Sequence, residues 1–105
     1  MHLTSFLENG KLTVVLTGEI DHHCAKNYIQ AIAGKIEAYT PEVCILDFSE
    51  VSFVDSSGIA VVINALRNMT QIDGKLMLTG MCPQPMRVFR ASGIDKLVHI
   101  EEAVS

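Results

Sequence analysis

The sequence predicts an α/β fold: a small mixed, mainly parallel sheet of four to five strands packed with helices, in the order ββαβαβαβ. Three observations carry this. Short alternating or continuously apolar runs recur between stretches whose apolar residues are spaced by three and four. Asn9-Gly10 separates the first two strand-like runs and supplies the positive φ angles of a tight hairpin. Beyond that hairpin each strand is followed by a helical pattern, and strands joined by crossover helices lie parallel.

The elements follow in order. In the second strand Leu12, Val14 and Leu16 alternate with Thr13, Val15 and Thr17. Asp21 has the side chain to cap the first helix, whose face is Ala25, Tyr28, Ile29, Ile32, Ile36 and Tyr39 and which Pro41 ends. Val43 to Phe48 is nearly all apolar, as expected of a strand covered on both faces. A short loop and then Asp55-Ser56-Ser57-Gly58 lead into a second helix with the face Ile59, Val62, Ile63, Leu66, Met69 and Ile72, and Gly74 fits its C-terminal cap. "KLMLTG" reads as a strand. Pro83 and Pro85 suit a helix start, with Met86 and Phe89 inside that short helix and Gly93 at its end. "LVHI" is a last short strand.

Bulk properties narrow the function. A chain of 105 residues argues for one domain, 1–105, with one core. With 49% hydrophobic and 19% charged residues it folds rather than staying disordered. Net charge is −4 and the eight Lys and Arg are scattered, which argues against nucleic acid as a ligand. The N-terminus lacks the basic-then-apolar pattern of a secretory signal, and apolar runs such as Ile59 to Ile63 fall far short of the roughly 20 residues that span a bilayer. Cys24, Cys44 and Cys82 are odd in number and lack C-x-x-C spacing, so they read as reduced thiols of a cytoplasmic protein.

Parallel sheets of this kind carry their sites at the carboxyl ends of strands, and "VDSSG" lies just beyond one. One residue of Asp55-Ser56-Ser57 suffices to cap the helix. A hydrolase elbow needs G-x-S-x-G, but Val54 and Asp55 stand two residues before Ser56 and Ser57. The histidines, His2, His22, His23 and His99, are not placed beside the serines by the sequence, and neither phosphate-binding glycine motif is present. A third possibility is phosphorylation. A phosphate at a helix N-terminus meets free N–H groups and the positive end of the macrodipole, so the fold tolerates it while a docked partner need not.

"FVDSSGIAVVINALR" resembles the signature of the STAS domain, and specifically of bacterial anti-sigma-factor antagonists of the sporulation type; "LTGEIDHHCA" and "ASGIDKLVHI" resemble two further stretches of that family, in the expected order. The resemblance implies the STAS fold, no catalysis, no cofactor, and Ser57 as phosphoacceptor. It implies an anti-sigma factor as partner, itself an ATP-dependent serine kinase. The unphosphorylated form binds it and frees the sigma factor, phosphorylation ends binding, and a serine phosphatase restores it. Asp21 and His22 begin a helix after another strand end, so the docking face is expected to combine Asp21, His22, Asp55, Ser56, Ser57 and Gly58. The alternative keeps the fold but makes the domain a constitutive scaffold or accessory subunit of a transporter or signalling complex. Two departures from the family pattern stand out. Ile59-Ala60 follows D-S-S-G where a further glycine is common, and the chain stops at "EEAVS", leaving the family's last helix absent or a stub.

Other candidates read as structural. Asp21-His22-His23 spells the D-H-H of a metal-dependent phosphoesterase family, yet the chain is too short and too poor in histidine for it, and consecutive helical residues point in different directions, so no metal is expected. Asp47 resembles a receiver-domain aspartate but lacks the acidic pair such domains need, and is expected to bond backbone groups. Met69, Met77, Met81 and Met86 could together form an adaptable surface, but Met69 and Met86 stand at helical spacing, which more often means core, and Arg87 and Arg90 fit a solvated helix side.

Overall fold

The computed structural model describes residues 3–101. Strands β1 (Leu3–Glu8) and β2 (Lys11–Ile20) form the hairpin. Helix α1 (His22–Tyr39), β3 (Val43–Val54), α2 (Ser56–Gln71), β4 (Lys75–Thr79) and α3 (Pro83–Ser92) follow, then a 3-10 turn (Ile94–Lys96) and β5 (His99–Glu101). The five strands lie in chain order in one sheet, β1 antiparallel to β2 and every other neighbour parallel. Asn9 and Gly10 take φ of 52° and 78°, both in the left-handed region that a two-residue hairpin turn demands.

With strands added in one direction, right-handed crossovers put all three helices on the same side of the sheet. Leu12, Val14 and Leu16 of β2, Cys44, Leu46 and Phe48 of β3, and Leu76 and Leu78 of β4 point into that side and are buried. Ala25, Tyr28, Ile32 and Ile36 of α1 and Phe89 of α3 cover them. Phe89 meets Phe48 edge-on, centroids 5.5 Å apart, a contact worth about 1 kcal/mol beyond its area. The expectation that Val43 to Phe48 is covered on both faces is therefore corrected. Val43, Ile45 and Asp47 face an uncovered side and are only half-buried.

Further corrections concern boundaries. β3 does not stop at Phe48 but runs to Val54. Register shifts between Val15 and Thr17 and between Gly18 and Glu19 let it stay paired with β2, and Val51 and Val54 return to the core. The buried stripe of α2 is Gly58, Val61, Val62, Ala65 and Met69, with Ile59, Ile63, Leu66 and Ile72 half-buried at its margin. Small Ala65 and Gly58 let α2 lie close, a packing signal that hydrophobicity alone misses. Tyr39 is exposed at the end of α1, where Thr40 turns left-handed before Pro41.

Gly74 is not the left-handed cap; Asp73 takes that conformation, with φ 57°. A Cβ on Gly74 would run into the Met69 methyl and lie 3.1 Å from the carbonyl oxygens of Pro41 and Glu42, so glycine is there for close approach. Gly93 ends α3 with φ 84°, as expected. Of "LVHI" only His99 and Ile100 are in a strand, Leu97 and Val98 being drawn into the preceding turn. The chain end 102–105, and with it the expected loss of a last helix, lies outside the described residues, as does His2. No helix among the described residues is long and apolar enough to cross a membrane.

Candidate functional site

β2 and β3 end side by side, Ile20 paired with Val54. The next residue of each strand is an aspartate that caps a helix. Asp21 has extended backbone (φ −117°, ψ −176°), and its Oδ1 accepts the N–H groups of His23 (2.9 Å) and Cys24 (3.3 Å). Asp55 repeats this conformation (φ −103°, ψ −168°), and its Oδ1 accepts the N–H of Ser57 at 2.7 Å. The Asp55 N–H donates to the Ile20 carbonyl (3.1 Å), tying the two helix starts together. Because α1 and α2 both begin here, the positive ends of two helix dipoles share one corner at the carboxyl edge of the sheet.

The cap of α2 is thus the aspartate, and neither serine is needed for it. Ser56 opens the helix and is exposed; Ser57 follows, half-buried; Gly58 is buried. A Cβ on Gly58 would stand 3.0 Å from the Val54 Cβ, so the glycine lets the helix start sit directly on the strand end. Ser57 is left with its N–H engaged and its hydroxyl at the surface of the turn. Among the described residues no histidine is hydrogen-bonded to either serine, so the nucleophile arrangement finds no base here.

The Asp21 carboxyl feels two opposing influences. Partial desolvation pushes its pKa up, but the hydrogen bonds from His23 and Cys24 outweigh this and hold it below the usual value. His22 and His23 are both exposed, and their rings lie 4.0 Å apart at a 37° tilt. The expected divergence of consecutive helical side chains is corrected here. At the first turn of a helix the two rings can fold toward each other. Among the described residues no group of three or more His, Cys, Asp or Glu is placed to hold a metal ion.

Gln84 is part of this corner and was not singled out by sequence. From the first turn of α3 its Oε1 accepts the Val54 N–H (2.9 Å) and its Nε2 donates to the Val54 carbonyl (3.0 Å). One side-chain amide thereby holds both backbone groups of the residue preceding Asp55. Its only sequence trace is a glutamine between two prolines. Asp47 bonds backbone as expected, its Oδ1 accepting the Ser49 N–H (2.9 Å) inside the lengthened β3. Burial drives the Cys44 thiol pKa up to about 12, a core thiol, while Cys24 and Cys82 are half-buried and all three are free. Met69 is buried, Met77 and Met86 half-buried, and Arg87 and Arg90 exposed on α3.

Comparison with known proteins gives a consistent picture. The family described as the STAS domain matches residues 7–105. The anti-sigma F factor antagonist of Lysinibacillus sphaericus is 30% identical over 83 residues, 79% of this chain and 71% of that protein. The anti-sigma-B factor antagonist of Listeria monocytogenes is 28% identical over 93 residues, 86% of this chain and 78% of that protein. The anti-sigma factor antagonist SpoIIAA superposes with a TM-score of 0.84 in its unphosphorylated form, at 25% identity over 99% of this chain and 90% of that one. SpoIIAA from Bacillus in its phosphorylated form superposes with a TM-score of 0.75, at 25% identity over 99% of this chain and 93% of that one.

Proposed function

Since this chain belongs to the STAS domain family, we propose that it is an anti-sigma-factor antagonist whose single domain, 1–105, is switched by phosphorylation of Ser57. Its work is binding, not catalysis, and it uses no cofactor. The unphosphorylated form docks on an anti-sigma factor through Asp21, His22, Asp55, Ser56 and Ser57, with Gly58 holding the turn against Val54. That partner is an ATP-dependent serine kinase, docking displaces its sigma factor, and a serine phosphatase resets the cycle in the cytoplasm. Two named relatives are antagonists of anti-sigma F and anti-sigma-B factors, and SpoIIAA has been solved with and without its phosphate, which supports a phosphate switch in this family.

The observation that carries the reading is the division of labour at the corner. Asp55 caps α2, so the Ser57 hydroxyl has no structural duty and can be modified at little cost to the fold. A phosphate there adds close to two negative charges next to Asp55 while meeting the first-turn N–H groups and two convergent helix dipoles. The fold accommodates that charge. A partner packed on the same turn meets repulsion and desolvation costing several kcal/mol, enough to release it.

The test is a differential pull-down from native cytosol with wild type and Ser57→Glu as baits and bound proteins identified by mass spectrometry. The proposal expects an ATP-binding anti-sigma factor on wild type that is lost on Ser57→Glu. The same non-kinase partners on both baits would overturn it in favour of the constitutive scaffold.

A further inference from the structure

The side of the sheet that carries no helix is the part of the molecule that the switch leaves unused. Mainly parallel sheets are normally covered on both faces, because their strands are apolar on both sides. Here Ile45 and Met77 lie on the open side in one register row that also holds Thr13 and His99. Phe6, paired with Thr13, extends that row to β1 and is 54% exposed. Lys11, Val43, Ile45, Lys75, Met77 and His99 line a shallow, mostly apolar hollow of about 380 Å³ on this side. An apolar face of this extent marks a contact surface.

Its charges point to the occupant. At the amino end of the strands Lys11, Val43 and Lys75 share a row, with Glu8 opposite Lys11 offsetting one positive charge. At the carboxyl end Asp47 and Glu101 share a row, and Glu50, paired with Thr17, continues on the same side. The face is therefore positive at one end, negative at the other and apolar between. Such a face complements itself when a second copy is turned end for end.

We propose that this open sheet face is the interface of a homodimer, two copies packing sheet on sheet about a two-fold axis that lies in the interface along the Phe6–Thr13–Ile45–Met77 row. The axis runs across the strands, so the strands of the two copies run antiparallel at the spacing of about 10 Å usual for packed sheets. Lys11 and Lys75 of each copy then lie over the Val15–Asp47–Thr79–Glu101 row of the other, with Glu50 just beyond it and Ile45 and Met77 enclosed between the two copies. The surface is on the side of the sheet away from the helices that Asp55 and Asp21 cap. The dimer leaves Ser57 accessible and does not depend on its phosphorylation.

Sedimentation of the full chain tests this with charge-swapped pairs, since Lys11, Lys75, Glu50 and Glu101 are all exposed and their replacement leaves the core intact. Wild type is expected to sediment as a dimer that weakens with added salt. Lys11→Glu with Lys75→Glu, and separately Glu50→Lys with Glu101→Lys, are expected to be monomers with unchanged circular dichroism. An equimolar mixture of the two variants is expected to recover the dimer, as the exchanged charges on the two faces are again opposite in sign. A wild type that stays monomeric at its highest workable concentration overturns the proposal. So do variants that remain dimeric, or a mixture that stays monomeric.

Discussion

At the scale of single residues the corner separates two jobs that adjacent polar side chains could have shared. Asp55→Ala removes the α2 cap and is expected to lower unfolding free energy by about 1 kcal/mol. Ser57→Ala, which leaves the 2.7 Å cap bond intact, is expected to change it by less than about 0.5 kcal/mol. Urea titration distinguishes them, and equal losses would mean the serine carries structure after all. Asp21 gives a pH signature. Its carboxyl is held below its usual pKa in the folded state, so the unfolded chain binds the proton more readily. The stabilisation is fully present above the unfolded-state value of about 3.9 and is lost as pH falls through the folded-state one. Thermal melts of wild type and Asp21→Asn, which keeps a capping oxygen, should converge as the pH drops below about 4. A constant gap would contradict this. That an aspartate caps each helix was legible in the sequence for Asp21 but left open among three residues at "DSS". Propensity ranks Asp and Ser equally at this position, and only the fold decides which stands at the cap.

At the scale of elements, α3 is the part the sequence described least. Its prolines, Phe89 and terminal Gly93 fixed where it lies along the chain, but nothing in a 3.6-residue period points to Gln84. The contact is to backbone and bridges residues 30 apart. Gln84→Ala orphans the N–H and carbonyl of buried Val54, and the expected cost is about 2 kcal/mol. It should also speed hydrogen exchange of the Val54 and Asp55 amides ahead of the rest of β3. Loss of stability with no local exchange change would mean the glutamine serves α3 and not the corner. The lengthening of β3 to Val54 was hidden for a related reason. "SEVSFV" has no strand alternation, because two register shifts against β2 reset which residues face inward.

At the scale of the molecule, element order, hairpin, mixed sheet and the meeting of Asp21 with Asp55 could all be read from the sequence, because each rests on local period and on the handedness of crossovers. The open sheet face could not. A continuous apolar run such as "VCILDF" looks the same whether its second side meets helices, solvent or another copy. The helical side and the open side also divide the proposed functions, one carrying a phosphate-gated corner and the other a self-complementary face. At the corner, the Ser57 hydroxyl is proposed to stay out of the cap so that it can be phosphorylated. The measurement to make is to incubate wild type and Ser57→Ala with the captured anti-sigma factor and Mg-ATP and locate phosphate by peptide mass spectrometry. A single phosphate on Ser57 in wild type and none on Ser57→Ala is expected; phosphate on Ser56, or none on either chain, would overturn the phosphate switch.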